Sequence, residues 1–407
     1  MAELSGLHIL IVPAWWPSPE EPISGIFHTD YARTFASAGA RVGVVFPDLV
    51  SVRHWGRSTE IHLWPKLICE EMHGIPIVRI RGLHTALRMP WMQMTRFRCW
   101  LRRGLDAYVE RFGRPDLLHA MCAIPAAWAC TTLEDPLARR VVVTEHTGFF
   151  STVITRRTGR SFALRGLHRA AAVVAVSAVC RDEIHACGVQ REIQIRGNPV
   201  CDDFLQSPFP PRRSEGRLRG LFVGRMTEAK GVGELAAAAT VLAAEQEIEW
   251  HFAGDGPMAE TVRDLFASAG LADRLMLHGP CDRSTVVDLM ARCDFLTLPS
   301  HGETFGMAVA EALCMGLPVV TTRGTACADF VGDQDGVLVN MRDVDSLCAG
   351  FRSLIGKLAE YDRGAIAERA RSRFSGRAVA RWYSELFHQV TDREKASGSA
   401  AGDSRGG

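Results

Sequence analysis

The feature that most limits the fold of this chain is an alternation that runs through it twice. Strand-sized apolar segments at 8–13, 41–46, 117–121, 140–144 and 171–177 are separated by stretches that suit helices. After a Pro/Arg/Ser-rich stretch at 207–216, the alternation restarts at 218–224, 248–254, 274–279, 295–299 and 317–322. Strands that alternate with helices build parallel sheets covered on both faces. The chain is therefore expected to be α/β, with two doubly wound domains. The expected boundaries are 1–200 for the first domain, 201–216 for a linker and 217–375 for the second domain. Helical patterns continue to about residue 392, and the Ser/Gly/Ala-rich 393–407 reads as a disordered tail. Ligands of such sheets sit outside the carboxyl ends of the strands, which points to a cleft between the domains.

Charge narrows the partners. The 407 residues carry 47 Lys+Arg against 46 Asp+Glu, so no global field holds nucleic acid and any anion site must be local. The twelve cysteines form no C-x-x-C pair, which argues against a zinc cluster or a disulfide scaffold. No apolar run reaches the ~18 residues needed to span a bilayer, and no leader pattern is visible at the N-terminus. The expected location is cytoplasmic, with attachment to a membrane surface left open.

Two segments of the second half bear chemistry. In Gly224-Arg225-Met226-Thr227-Glu228-Ala229-Lys230-Gly231, an Arg and a Lys framed by glycines follow a strand. Arg offers a planar fork for phosphate oxygens and Lys a point charge. The plain alternative is a solvated turn with surface cations. The second segment holds Ser300, Glu303, Thr304, Phe305, Gly306, Met307 and Glu311. A helix start near Thr304 points the amides of Phe305, Gly306 and Met307 at an anion. Glu303 then sits at the helix mouth, with Glu311 ~12 Å further along the axis at ~1.5 Å per residue. The plain alternative is a capping Glu followed by a solvated one.

These residues resemble the retaining glycosyltransferases of family 4, whose GT-B architecture is two facing Rossmann-like domains. The resemblance rests on the Arg225/Lys230 turn, Phe252-Ala253-Gly254-Asp255-Gly256-Pro257, the Glu303/Glu311 segment, Gly316-Leu317-Pro318-Val319-Val320 and 336–339. It is strong over 218–340 and looser before that. It implies a nucleotide-diphosphate-sugar donor, with Arg225 and Lys230 on the diphosphate, Glu311 on the ribose and Glu303 on the transferred sugar. Gly254 and the 305–307 amides join the donor set. It also implies that helix 376–392 returns to the first domain, that Gly25 lies in a loop near the diphosphate and acceptor, and that His146 lies near the transferred sugar. The family's usual two glycines are Ser24-Gly25 here. Without the resemblance, His146 reads as a local hydrogen-bonding residue, and Trp15 and Trp16 read equally as sugar platforms or cleft-wall packing.

Residues 88–114 carry seven arginines (88, 96, 98, 102, 103, 111, 114) against Asp106 and Glu110, a net charge of +5. Met94, Phe97, Leu101, Leu105, Tyr108 and Phe112 form an apolar stripe at helical spacing, with Trp91 and Trp100 off it. That pattern fits either docking on anionic lipid or a core helix with a solvated cationic face. Asp333-Gln334-Asp335, flanked by Gly332 and Gly336, reads as a turn rather than a metal-binding Asp-x-Asp.

The expected function is a metal-independent, cofactor-independent retaining transfer from a nucleotide-diphosphate-sugar to a glycan or lipid-linked glycan acceptor. The rivals are a sugar-nucleotide 2-epimerase, a phosphorylase carrying pyridoxal phosphate, and a non-catalytic nucleotide-sugar-binding subunit. Because Arg225, Lys230 and helix amides supply the positive charge in this reading, transfer is expected to survive excess chelator. Loss of turnover restored by magnesium or manganese would move the assignment toward Asp333 and Asp335.

Overall fold

The computed structural model describes residues 3–18, 21, 24–51, 64–84, 89–148, 150, 154, 157–206 and 216–403, with the backbone alone beyond 393. It divides into two compact units, Met1–Pro199 with Val379–Gly407, and Val200–Ala378. The first holds β1 (His8–Pro13), β2 (Arg41–Ser51), β3 (Lys66–Met72), β4 (Ile75–His84), β5 (Leu117–Met121), β6 (Val141–Glu145), β7 (Ala172–Ala175) and β8 (Gln194–Ile195). They form one sheet in the order β3-β4-β2-β1-β5-β6-β7-β8. Every pairing is parallel except that of β3 with β4.

The second unit holds β9 (Leu218–Val223), β10 (Ile248–Ala253), β11 (Leu275–Gly279), β12 (Phe295–Leu298), β13 (Val319–Thr322) and β14 (Gly336–Val339). Their order is β11-β10-β9-β12-β13-β14, parallel throughout. The chain winds outward one way from β9 and then returns to its other side as β12. That reversal leaves a crevice at the carboxyl ends of β9 and β12, where doubly wound sheets hold ligands. The corresponding point in the first unit lies between β1 and β5. Both units are thus Rossmann-like. Four helices begin where a short polar side chain accepts the amide three residues on: Ser177 from Cys180, Asp282 from Thr285, Asp343 from Ser346 and Asp362 from Ala365.

The hairpin β3–β4 has no counterpart in the apolar pattern, because charged residues interrupt it. Arg79 and Arg81 are buried on β4. Arg79 donates to Glu70 (2.8 Å), Asp48 (3.0 Å) and the Pro17 carbonyl (2.9 Å), and Arg81 lies 3.4 Å from Asp48. The turn His73-Gly74 has positive φ at both positions, 53° and 76°, the backbone that two-residue hairpins require. The stretch expected as a linker contains a short helix, Asp202–Gln206, and 207–215 lie outside the described residues. The backbone of the last helix, Gly376–Asp403, continues through most of the stretch expected as a disordered tail.

The helix Pro90–Phe112 buries Met94, Phe97, Leu101, Leu105 and Tyr108. Trp100, off the apolar stripe in the sequence pattern, is buried as well, only 8% exposed. It packs over Gly82, where an added Cβ would come within 3.0 Å of the indole. Trp91 is 53% exposed. Arg88 lies outside the described residues.

Val379, Tyr383, Leu386, Phe387 and Val390 of the last helix share the first unit's core with Tyr31, Phe35, Ile9 and Val142. Polar groups thread this core. The Thr144 hydroxyl lies 2.8 Å from the Tyr383 hydroxyl and 2.7 Å from His119 Nε2. Burial holds the His119 imidazole down at about 3, with His28 nearby adding to the effect. Burial likewise holds His28 at about 4, against a hydrogen bond with the Trp15 carbonyl. His146 is held well below its ordinary value by burial, then by His28 and His119, with Asn198 opposing. These rings stay neutral in the fold, while the unfolded chain takes up protons near pH ~6.5. Their stabilisation is therefore complete above that pH and declines as pH falls toward 4, by up to ~1.4 kcal/mol per pH unit for each ring. Glu145, whose carboxyl burial raises, opposes the trend. The urea midpoint is expected to drop between pH 7.5 and 5. His119→Gln, which cannot titrate, should drop less; equal drops would contradict the neutral burial of His119.

Candidate active site

The crevice of the second unit is built by two loops. After β9 the chain runs through Gly224 and Arg225 into a single 3-10 turn, Glu228–Lys230, and then the helix Val232–Glu245. After β12 it runs from Pro299 to Gly306, then into the helix Met307–Cys314. The loops are fastened to each other. His301 N donates to the Ala229 carbonyl at 2.9 Å, and a Cβ on Gly231 would sit 2.0 Å from the Pro299 carbonyl oxygen. Threonines of β13 hold the strand exit: Thr321 donates to Leu298 O at 2.9 Å and Thr322 to Ser300 O at 2.6 Å.

This fastening brings Lys230 and Glu303 together. Lys230 Nζ lies 2.5 Å from Glu303 Oε1, which also accepts from the Ser300 hydroxyl at 2.8 Å. The Glu303 side chain is 10% exposed and that of Lys230 30%. Arg225 is exposed, with no side-chain partner among the described residues. Among the described residues the site thus offers one tethered cation, one exposed cation and a largely buried carboxylate.

The helix starts later than the sequence pattern suggested. It begins at Met307, with Gly306 as its N-cap at φ 89°, so Glu303 lies in the loop and the helical spacing from Glu303 to Glu311 does not apply. The cause is local. Phe305 is buried against Phe330 and Phe374, and the turn that puts it there needs a left-handed residue next. A side chain on Gly306 would also strike Cys327, whose Sγ lies 2.3 Å from the ideal Cβ position. The Phe305 amide therefore precedes the helix, and Gly306 N and Met307 N mark its mouth. Met307, Ala308 and Glu311 lie on its partly exposed side.

Gly254 N donates to the Gly279 carbonyl at 2.8 Å, so its amide serves the β10–β11 loops rather than a ligand. Asp335 is fixed by Arg369, which donates to it at 2.8 and 3.0 Å, and belongs to the turn before β14. Among the described residues, no group of three or more His, Cys, Asp or Glu is placed to hold a metal.

In the first unit, Gly25 is the left-handed N-cap of the helix Ile26–Ser37. A Cβ there would lie 2.7 Å from the Trp15 carbonyl oxygen, an oxygen hydrogen-bonded to His28 Nδ1 at 2.8 Å. His146 follows β6 and is buried, its ring among Phe27, His28 and Tyr31 at centroid distances of 4.9, 5.3 and 5.5 Å. Trp15 is half-buried and Trp16 fully buried. Sequence reasoning passed over Glu145, which accepts amides from Ala123 (2.6 Å), His146 (2.9 Å) and Thr147 (2.8 Å) and so shapes the turn that carries His146. It also passed over His301, whose partners Glu234 and Arg342 lie 67 and 41 residues away, beyond any short motif.

Residues 217–357 match the family Glycosyl transferases group 1, and residues 26–204 match Glycosyltransferase Family 4. Glycogen synthase of Mycobacterium tuberculosis (strain ATCC 25618 / H37Rv) is 29% identical over 294 residues, 68% of this chain and 70% of that one. Sucrose-phosphate synthase from Thermosynechococcus elongatus superposes with a TM-score of 0.70 at 18% identity, over 95% of this chain and 100% of that one. Anabaena HepE in complex with UDP gives 0.69 at 18% identity, over 94% and 100%. At such identities the superpositions speak for the fold, which is GT-B. Two glycosyltransferase family models, one over most of each unit, and these relatives together make the chain a glycosyltransferase enzyme of the group 1, family 4 type.

Proposed function

We propose that the protein is a retaining transferase that moves a sugar from a nucleotide-diphosphate-sugar to a glycan or lipid-linked glycan acceptor. The observation that carries this reading is the Lys230–Glu303 pair at the crevice between β9 and β12. A diphosphate entering the crevice competes with Glu303 for Lys230. Once displaced, Glu303 is an acceptor for hydroxyls of the transferred sugar. Arg225, Lys230 and the amides of Gly306 and Met307 then stabilise charge developing on the leaving diphosphate. Glu311 takes the ribose hydroxyls, and His146 and Gly25 serve the sugar-transfer side from the first unit. UDP is the first nucleotide to try, since it is the ligand of the HepE neighbour.

Sugar nucleotides of uridine, guanosine and adenosine, each with and without glycan acceptors, provide the test. Nucleoside diphosphate release that depends on acceptor, with the anomeric configuration kept in the product, supports the reading. A 2-epimer formed from donor alone would replace it with the epimerase.

The two carboxylates are expected to separate in kinetics. Glu311→Gln removes a contact remote from the breaking bond and should mainly raise the donor KM. Glu303→Gln removes negative charge beside a carbon that becomes cationic and should mainly lower kcat. Arg225→Ala and Lys230→Ala should each lower kcat ~100-fold or more. Near-normal turnover in both would return this turn to solvent.

The membrane is the second proposed partner. Trp64, Met89 and Trp91 are 84%, 48% and 53% exposed; Met89 caps the arginine-rich helix Pro90–Phe112 and Trp91 lies in its first turn. Vesicle binding is expected to require anionic lipid and to weaken with salt, since exposed charges are screened over ~10 Å at 0.1 M. Equal binding to neutral and anionic vesicles, or none to either, removes this partner. Among the described residues no helix is long and apolar enough to cross a bilayer.

A further inference from the structure

Beside the Lys230–Glu303 pair lies a second polar connection that the proposed chemistry does not use. His301 sits two residues before Glu303, and its side chain is only 7% exposed. Nε2 lies 2.9 Å from Glu234 Oε1. On its other side, Arg342 Nε donates to Nδ1 at 3.3 Å. An arginine N–H can only donate, so Nδ1 must accept, and the proton of the neutral ring is assigned to Nε2, from which it is donated to Glu234. Three loops at the carboxyl edge of the second sheet meet on this ring. Glu234 stands in the first turn of the helix that follows the Lys230 turn. His301 belongs to the loop after β12, and its own amide holds Ala229. Arg342 follows β14 with a left-handed backbone, φ 56°. Its two terminal nitrogens have no partner among the described residues.

A buried, doubly bonded imidazole that fixes an exposed guanidinium is an unusual use of a residue if the guanidinium has no task. Arginine loses several rotors when it is held, and an exposed arginine gains little from a single neutral hydrogen bond. We propose that His301 is a positioning residue of the donor site: it aims Arg342 at the donor diphosphate as a third cation beside Arg225 and Lys230, and it joins the Lys230 turn to the Glu303 loop. This rests on the donor-site reading above. The charged groups facing His301 are Glu234 and Arg342, while Lys230 and Glu303 satisfy each other.

Calorimetric titration with UDP, GDP and ADP at fixed ionic strength tests the assignment. His301→Ala and Arg342→Ala should each weaken binding of whichever nucleotide the wild type takes by about tenfold, the scale of one charged hydrogen bond. His301→Gln keeps an acceptor for Arg342 and a donor for Glu234, and should bind within about threefold of wild type. The double variant His301→Ala/Arg342→Ala should bind no more weakly than Arg342→Ala, because both changes remove one contact. Unfolding midpoints without nucleotide check that each variant is folded, and the exposed Arg342 gives a usable variant even if His301→Ala is not. Wild-type affinity in Arg342→Ala or in folded His301→Ala overturns the relay and leaves the donor site standing. So does His301→Gln binding as weakly as His301→Ala. No binding of any of the three nucleotides to the wild type overturns the donor-site reading and the relay with it.

Discussion

Two loops leaving neighbouring parallel strands must share one small space, and the second unit is organised around that crowding. β9 and β12 pair side by side and point the same way, so the chain after Val223 and the chain after Leu298 emerge together. Backbone contact between Gly231 and Pro299, the Ala229–His301 hydrogen bond and the threonines of β13 leave these loops little freedom. Lys230 and Glu303, 73 residues apart in sequence, are neighbours for that reason. Their ion pair is partly exposed and adds little stability by itself. In the proposed function its importance is chemical: the carboxylate and the ammonium hold each other in place until a ligand carrying both anionic and hydroxyl groups satisfies each separately.

Most of the architecture was legible because buried parallel strands are continuous apolar runs, and those at β1, β5, β6, β9, β10 and β12 lie within a residue or so of where the sequence puts them. The hairpin β3–β4 escaped because its buried face includes Arg79 and Arg81, whose acceptors Asp48, Glu70 and the Pro17 carbonyl come from distant segments. The helix start escaped for a related reason. Helix-forming residues from Phe305 onward suggest an early start, and only the burial of Phe305 and the steric limit at Gly306 against Cys327 delay it. Trp100 lies off the helix's apolar stripe, but Gly82 makes room for it in the core.

The two units solve the problem of buried polarity differently. In the second, the ionisable side chains Arg225, Lys230, His301, Glu303 and Arg342 gather at the crevice and are partly or fully exposed, while the buried polar groups are hydroxyls. In the first, His28, His119, His146, Glu145, Thr144, Tyr31 and Tyr383 lie inside the fold. Hydrogen bonds among buried polar groups specify an arrangement of neighbours more sharply than apolar contacts do. Here hydrogen bonds tie β6 to the last helix of the chain through Thr144 and Tyr383, and the helix Ile26–Ser37 to Asn198 through Tyr31.

The membership of that last helix has a consequence for synthesis. Six residues of that helix, Val379, Ala380, Tyr383, Leu386, Phe387 and Val390, complete a core whose remaining buried members lie before residue 175, and the whole of the second unit is translated in between. As the chain leaves the ribosome, the second unit has all its strands before the first has its final helix. Topologically, the second unit is an insertion within the first. The order of translation and the order in which cores can close are therefore reversed: the unit made first is the one that must wait, with Tyr31 and Phe35 lacking Tyr383 until the end.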